Sequence, residues 1–358
     1  MTACSSTPKP EPYGTLEDGR EAHLYTLTNK SGMTATMTSF GAMLVGLTAP
    51  DRNGQLADVT VGFDDLDSCI EDSMYRGATV GRFGNRLKDG KFTLDGAEYT
   101  LATNNGDNHL HGGNVGFNKK LWNAQYVSRP GAQGVEFKLV SPDGEEGYPG
   151  TLTVQATYWL NDKNEFIAEF EATTDAPTIV NMVHHTYWNL TGDFANSDVL
   201  GHELTLYADQ YLPIDEGLIP EANAPAPVAG TPMDFTSPRK IGERVDEGFV
   251  QLERARGYDH AWIVNGETGI LRPAAKAHDP ASGRVMEVWT DQPAIQFYGG
   301  NFMSGAPGPG GKPMNFRHAL CLETEGYPDA PNRPDFPSPV LRPGDTYKHM
   351  MIHRFYTQ

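Results

Sequence analysis

Apolar and polar residues alternate with a period of two along several stretches of this chain. EFKLV (136–140), TLTVQATYWL (151–160) and EFIAEFEATT (165–174) set β-branched and aromatic residues among polar ones, and SPDGEEGYPG and NDKN supply turn residues between them. This is the pattern of strands with one buried face. TATMTSFG, DVTVGF, KFTLDGAEYTL, HAWIV, RVMEVWT and AIQFYGGNF continue it, and helical periodicity is nearly absent. Short strands spaced by roughly 8 to 12 residues predict an all-β fold, a large antiparallel β-sandwich or barrel. No linker, repeat or low-complexity run interrupts the pattern. It therefore predicts one domain over residues 13–358, preceded by a flexible tail over 1–12.

The same period bears on VNMVHHTYWNLTG (180–192), which holds two adjacent histidines. Successive side chains of a strand point to opposite faces. Val183, His185, Tyr187 and Asn189 then share one face, and His184, Thr186, Trp188 and Leu190 the other. The two histidines cannot be arms of one site.

Composition narrows the function classes. A hydrophobic share of 38% and a charged share of 21% describe an ordinary globular chain, and 39 Gly with 26 Pro indicate many turns. No apolar run approaches the ~18 residues of a spanning helix. Lys and Arg number 28 against 46 Asp and Glu, for a net charge of −18, so nucleic acid, anionic membrane surfaces and highly anionic substrates are poor partners. Cys4, Cys69 and Cys321 form neither a disulfide framework nor a zinc spacing. The start, MTACSSTPKPEP, is similar to a processed lipoprotein junction with Cys4 as the lipid-bearing residue. That reading implies a bacterial cell envelope or periplasm. A disordered start with an incidental cysteine, in a cytoplasmic protein, is the alternative.

Polar clusters break the strand pattern, and each has an ordinary explanation. Asn85 and Arg86 sit in GRFGNRLKDGKF, where a solvated loop arginine is common. His109 and His111 of NHLHGG would face one side if extended, as a metal pair or as a hydrogen-bonded turn. Asp259 opens the strand DHAWIV, Gln296 lies among the aromatics of QFYGGNF, and Glu323 starts the apolar strand CLETEGYPDAPN. A carboxylate at such a junction is seldom idle if buried.

Taken in order, GNRL, LHGG, HHTYWNLTG, GYDHAW, QFYGGNF and CLETEGYPDAPN, with the closing FPSPVLRPGDTY, resemble the aldose 1-epimerase (galactose mutarotase) family. The resemblance implies a β-supersandwich whose cleft takes a monosaccharide, with no cofactor and no metal. It further implies Glu323 as catalytic base, His185 as acid and His111 as a second active-site histidine, with Asn85, Arg86, Asp259 and Gln296 binding the sugar. A carboxylate and an imidazolium would each stabilise the other's charged form. Three positions depart from the family pattern: His184 where Asn is usual, Trp188 for Phe, and Glu325 where a neutral amide is common.

Three other functions compete with this one. A cupin-type metal site built on His109 and His111 would want a carboxylate four residues past the second histidine, and that position is Val115. A non-catalytic carbohydrate-binding sandwich would not need both Glu323 and His185. A hexose-6-phosphate 1-epimerase would need several basic residues at the phosphate, against a net charge of −18.

Overall fold

The alternating stretches assemble into antiparallel sheets in a computed structural model that describes residues 9–358; Cys4 lies outside the described residues. EFKLV falls within the strand Ala132–Ser141, TLTVQATYWL within one residue of Leu152–Asn161, and EFIAEFEATT is the strand Glu165–Thr174. Together with Asn123–Arg129 they make a four-stranded meander, and Tyr347–Thr357 pairs against its open side. That C-terminal strand pairs on its other flank with Arg284–Thr290. Arg272–His278, Glu203–Leu206 and Arg239–Lys240 complete a nine-stranded sheet.

A smaller sheet carries the chemistry. Its strands run in the order Ala226–Pro227, Gln210–Tyr211, Asp259–Ile263, Ala294–Tyr298, Cys321–Glu325. Reciprocal hydrogen bonds between Leu320 and Trp188 extend it to the segment that holds Val183–His185, which pairs with Ala78–Val80. A third sheet, of five strands from Glu11–Thr15 to Leu56–Asp58, packs beside them.

The inward faces share one large apolar cluster, running from Tyr25 to Phe355 and including Trp188, Trp262, Phe297 and Leu322. Histidines are mixed into this core. His184 contacts the Tyr158 hydroxyl at 3.3 Å and Thr186 Oγ1 at 2.7 Å, and His349 contacts Thr324 Oγ1 at 2.8 Å. His353 stands between Trp188, Phe166 and His184, with neither ring nitrogen hydrogen-bonded among the described residues.

One expected strand does not form. Only Asp58 of DVTVGF lies in a strand, and Thr60 makes a single bridge to Trp188. The Asp58 carboxylate takes the backbone N–H groups of Leu47 and Thr60 and the Thr60 hydroxyl, which ends the ladder. Gly62 then passes so close to Val45 that a Cβ would sit 1.8 Å from its carbonyl oxygen. The two α-helices of the described residues are single short segments, Leu66–Glu71 and Val250–Ala255. No described helix is long and apolar enough to cross a membrane.

Candidate active site

Pleating decides which side chains of the small sheet meet. Asp259, Gln296, Cys321, Glu323 and Glu325 project from one face, and His260, Trp262, Phe297, Leu322 and Thr324 from the other, the pairing being Gln296 with Glu323 and Asp259 with Tyr298. From the first face, Asp259, Gln296, Tyr298 and Glu323 line a cavity of about 660 Å³. The next segment adds His185 and Tyr187 to this cavity, with their rings stacked at 5.3 Å, while His184 and Trp188 point into the core. The alternation expected across 183–188 is therefore present.

Asn85, Arg86 and His111 arrive from outside the sheet. The segments Arg86–Leu87 and His109–Leu110 pair in a two-residue ladder, and both Asn85 (φ 62°) and His111 (φ 50°) adopt the left-handed conformation beside it. Non-glycine residues held in that region are strained and gather at functional sites. The turn closes tightly: a Cβ on Gly112 would lie 1.8 Å from the Gly81 carbonyl oxygen. His109, by contrast, faces inward, with Nε2 2.5 Å from the Tyr148 hydroxyl and Nδ1 2.8 Å from the Ala102 carbonyl oxygen. The left-handed turn at His111 separates the two rings, so His109 and His111 do not form an H-x-H pair. Val115 is exposed.

All seven residues singled out in the sequence line the cavity: Asn85, Arg86, His111, His185, Asp259, Gln296 and Glu323. His185 Nε2 lies 3.5 Å from Glu323 Oε2. The His111 ring is 5.1 Å from that of His185, and Tyr75 packs against both. Gln296 Nε2 donates to Asp259 at 2.6 Å, which leaves Gln296 Oε1 buried without a partner, and Arg86 stands 3.8 Å from Asp259. Arg86 also donates to Asn105 at 3.1 Å. Backbone N–H groups can only donate, so the 3.1 Å contact from the Asn85 N–H to His111 Nδ1 makes that nitrogen an acceptor. The proton of a neutral His111 then sits on Nε2, toward the cavity.

The electrostatics of the pair differ from the ion pair expected of it. Both members are nearly inaccessible, Glu323 at 3% and His185 at 5% exposure. Burial, with Glu325 and Asp259 adding to it and Arg86 opposing, holds the Glu323 carboxyl well above the usual range. Burial likewise pushes His185 down to about 4 and His111 well below its ordinary value. Loss of solvation outweighs mutual attraction, as expected where both charges leave water. Burial thus favours the neutral form of each group, with the shared proton on Glu323.

His111, His185 and Glu323 each direct one donor atom to within 4.8 Å of the others, a spacing within reach of a divalent cation. The same three groups can move and polarise protons without one.

Pattern reading of the sequence missed Tyr75, Tyr298, Phe302 and the Glu216–Leu218 loop, which also line the cavity. Tyr75 (φ 59°) is set by the buried Asp72, which accepts from the backbone N–H groups of Met74 and Arg76. Nothing in SMYR advertises that. Of the aromatic side chains Tyr187, Trp188 and Phe297, only Tyr187 reaches the cavity, and the other two are core.

The aldose 1-epimerase family model matches residues 23–354. A galactose mutarotase from Bos taurus is 43% identical over 318 residues, 88% of this chain and 89% of the relative. An aldose 1-epimerase from Escherichia coli K12 is 37% identical over 343 residues, 95% of this chain and 97% of its own. The crystal structure of an aldose epimerase homologue from C. elegans aligns with a TM-score of 0.85 at 31% identity, covering 94% of this chain and 99% of that one. Sequence and fold agree over nearly the whole length, and the chain belongs to the aldose 1-epimerase family.

Proposed function

We propose that this protein interconverts the α and β anomers of free aldohexoses such as galactose and glucose, with Glu323 as base and His185 as acid. The observation that carries the assignment is the meeting of these two groups at 3.5 Å in a cavity large enough for a pyranose. The Bos taurus relative is a galactose mutarotase, which supports galactose among the substrates.

Ring opening needs a base for the O1 proton and an acid for the ring oxygen. As the C1–O5 bond breaks, C1 becomes an aldehyde; rotation about C1–C2 and return of both protons close the ring on the other face. Glu323 and His185 together hold one proton throughout. Once sugar is bound, the shared proton passes from Glu323 to His185 across their 3.5 Å contact; Glu323 then takes the O1 proton as His185 gives its own to O5, so that opening leaves Glu323 protonated and His185 neutral. That is the charge state which burial favours. The site's low polarity thus pulls the proton transfer toward the open-chain aldehyde. His111 Nε2–H donates to oxygen as negative charge develops there. The unpartnered Gln296 Oε1, the Asp259 carboxylate and the Arg86 guanidinium suit sugar hydroxyls, which both donate and accept.

Arg86 is the one lysine or arginine among the described lining residues, which also include Asp107, Glu216 and Asp259. An acidic rim of this kind repels a sugar phosphate, so a free aldose is the better substrate. The test is polarimetry of freshly dissolved α-D-galactose and α-D-glucose, where the protein accelerates the change in rotation. Sugar binding with no acceleration would instead mark a carbohydrate-binding sandwich.

A further inference from the structure

Glu325 is buried at 1% exposure, two residues beyond Glu323 on the same strand face, and is not among the cavity-lining residues. A buried carboxyl with no access to substrate calls for a physical reason, because burying one without partners is expensive. Its partners are two side-chain amides. Asn85 Nδ2 donates to Oε1 at 2.8 Å, and Asn181 Nδ2 approaches Oε2 at 3.4 Å.

These contacts clamp the turn that carries Asn85. Asn181 Nδ2 also donates to the Gly84 carbonyl at 3.0 Å, and Asn181 Oδ1 accepts from Gly326 N–H at 2.8 Å, which ties the turn to the end of the Glu325 strand. Asn85 Oδ1 accepts from Arg86 N–H at 2.8 Å. The Asn85 amide is thereby held at both ends, which fixes its left-handed backbone. The outcome is the direction of one backbone N–H, toward His111 Nδ1 at 3.1 Å.

We propose that Glu325 is a positioning residue: by accepting from the Asn85 side chain it aims the Asn85 N–H at His111 Nδ1, and so commits the His111 proton to the nitrogen that faces the sugar. Without this acceptor the turn relaxes, Nδ1 loses its donor, and either ring nitrogen can carry the proton. In the wrong tautomer His111 presents a lone pair to an oxygen that is gaining negative charge, which repels where it should stabilise. The inference rests on the assignment of His111 to the epimerase site.

The experiment compares Glu325→Leu and Glu325→Ala, which remove the acceptor, with Glu325→Gln, whose amide oxygen can still take the Asn85 N–H. Imidazole ¹⁵N spectra of histidine-labelled protein report the His111 tautomer, and polarimetry separates kcat from KM. In the wild type, His111 is expected as the neutral Nε2–H form. Removing the acceptor should mix the tautomers and lower kcat by ~10²-fold, the scale of a small misplacement at a reacting centre, with KM within about threefold. Glu325→Gln should keep the tautomer and most of kcat. A wild-type His111 protonated on Nδ1 overturns the proposal without any variant, which decides the case even if Leu and Ala fail to fold. Folded Leu or Ala variants with unchanged tautomer and kcat overturn it equally. Glu323→Gln is the control for the reading of the site: wild-type turnover there would sink the acid–base assignment, while the spectra would still decide the role of Glu325.

Discussion

Replacing Glu323 by Gln tests both the chemistry and the unusual charge state of the catalytic pair. The amide keeps the volume and the hydrogen-bonding capacity of the carboxyl but cannot accept the O1 proton. Turnover should fall by ~10²–10⁴, equivalent to about 3–5 kcal/mol of barrier. Sugar affinity should change far less, since Asn85, Arg86, Asp259 and Gln296 are untouched. The pair titrates as a unit, so wild-type kcat/KM should be bell-shaped. Its acid limb follows His185 near pH 4, and its basic limb follows the raised Glu323 carboxyl. In Glu323→Gln only the acid His185 is left to titrate, so the acid limb should vanish and the residual rate should fall as His185 loses its proton near pH 4. In His185→Asn the residual rate should instead rise with pH as the raised Glu323 carboxyl ionises, and the double variant should lose far less than the product of the single losses, because groups 3.5 Å apart act together. Stopped polarimetry across pH supplies the rates. A difference infrared spectrum, wild type minus Glu323→Gln at pH 7, should show a protonated carboxylic C=O band. A basic limb that persists unchanged in Glu323→Gln would assign it elsewhere, with Glu325, pushed up to about 8, the first candidate. A pair of carboxylate bands would refute the neutral pair.

His353→Phe should stabilise the protein by ~1 kcal/mol or more at neutral pH, since two buried ring nitrogens without partners leave an aromatic pocket that suits Phe. The sign with pH is definite: His353 is pushed down from 6.5 to about 3, so the unfolded chain takes the proton first and stability is lost as pH falls below 6.5. The variant should flatten that loss by up to about 1.4 kcal/mol per pH unit in urea melts; an unchanged slope refutes the link. His184→Asn should keep most of the activity, because the ring lies in the core, but should lower stability by ~1–3 kcal/mol through lost packing and hydrogen bonds; abolished turnover would reassign the acid. Activity should survive exhaustive EDTA, as the proton transfers are made by side chains; restoration of a lost rate by Zn²⁺ or Mn²⁺ would turn His111, His185 and Glu323 into a metal site. If Cys4 bears a lipid, native protein should partition into detergent until Cys4→Ser, and wholly aqueous native protein would remove the lipid anchor.

Strand alternation was readable wherever the apolar period ran unbroken. It located Glu165–Thr174 and Arg284–Thr290 to the residue, and it separated His184 from His185. It failed at DVTVGF, because a single Asp58 side chain captures the backbone donors that a strand would need. Of the two arginines in GRFGNRL, local sequence could not tell that Arg82 is structural, its guanidinium bonded to Ser141 and to carbonyls of 141–150, while Arg86 reaches the cavity. The charge state of the pair was also hidden. It depends on how deeply residues from distant segments are enclosed, and burial of that kind has no period in the sequence.

Tyr347–Thr357 is the last described strand in chain order, yet it stands fifth of nine in the large sheet, between Glu165–Thr174 and Arg284–Thr290. During translation the meander of residues 123–174 can therefore fold early, but its Glu165–Thr174 edge waits unpaired until Tyr347–Thr357 leaves the ribosome. Phe166 and Phe170, which end fully covered opposite His353 and His349, wait with it. A long exposed edge of this kind invites pairing with another nascent chain. Loss of Tyr347–Thr357 would remove a keystone from the middle of the sheet, and growth temperature and chaperone supply should govern yield more strongly than the folded protein's own stability suggests.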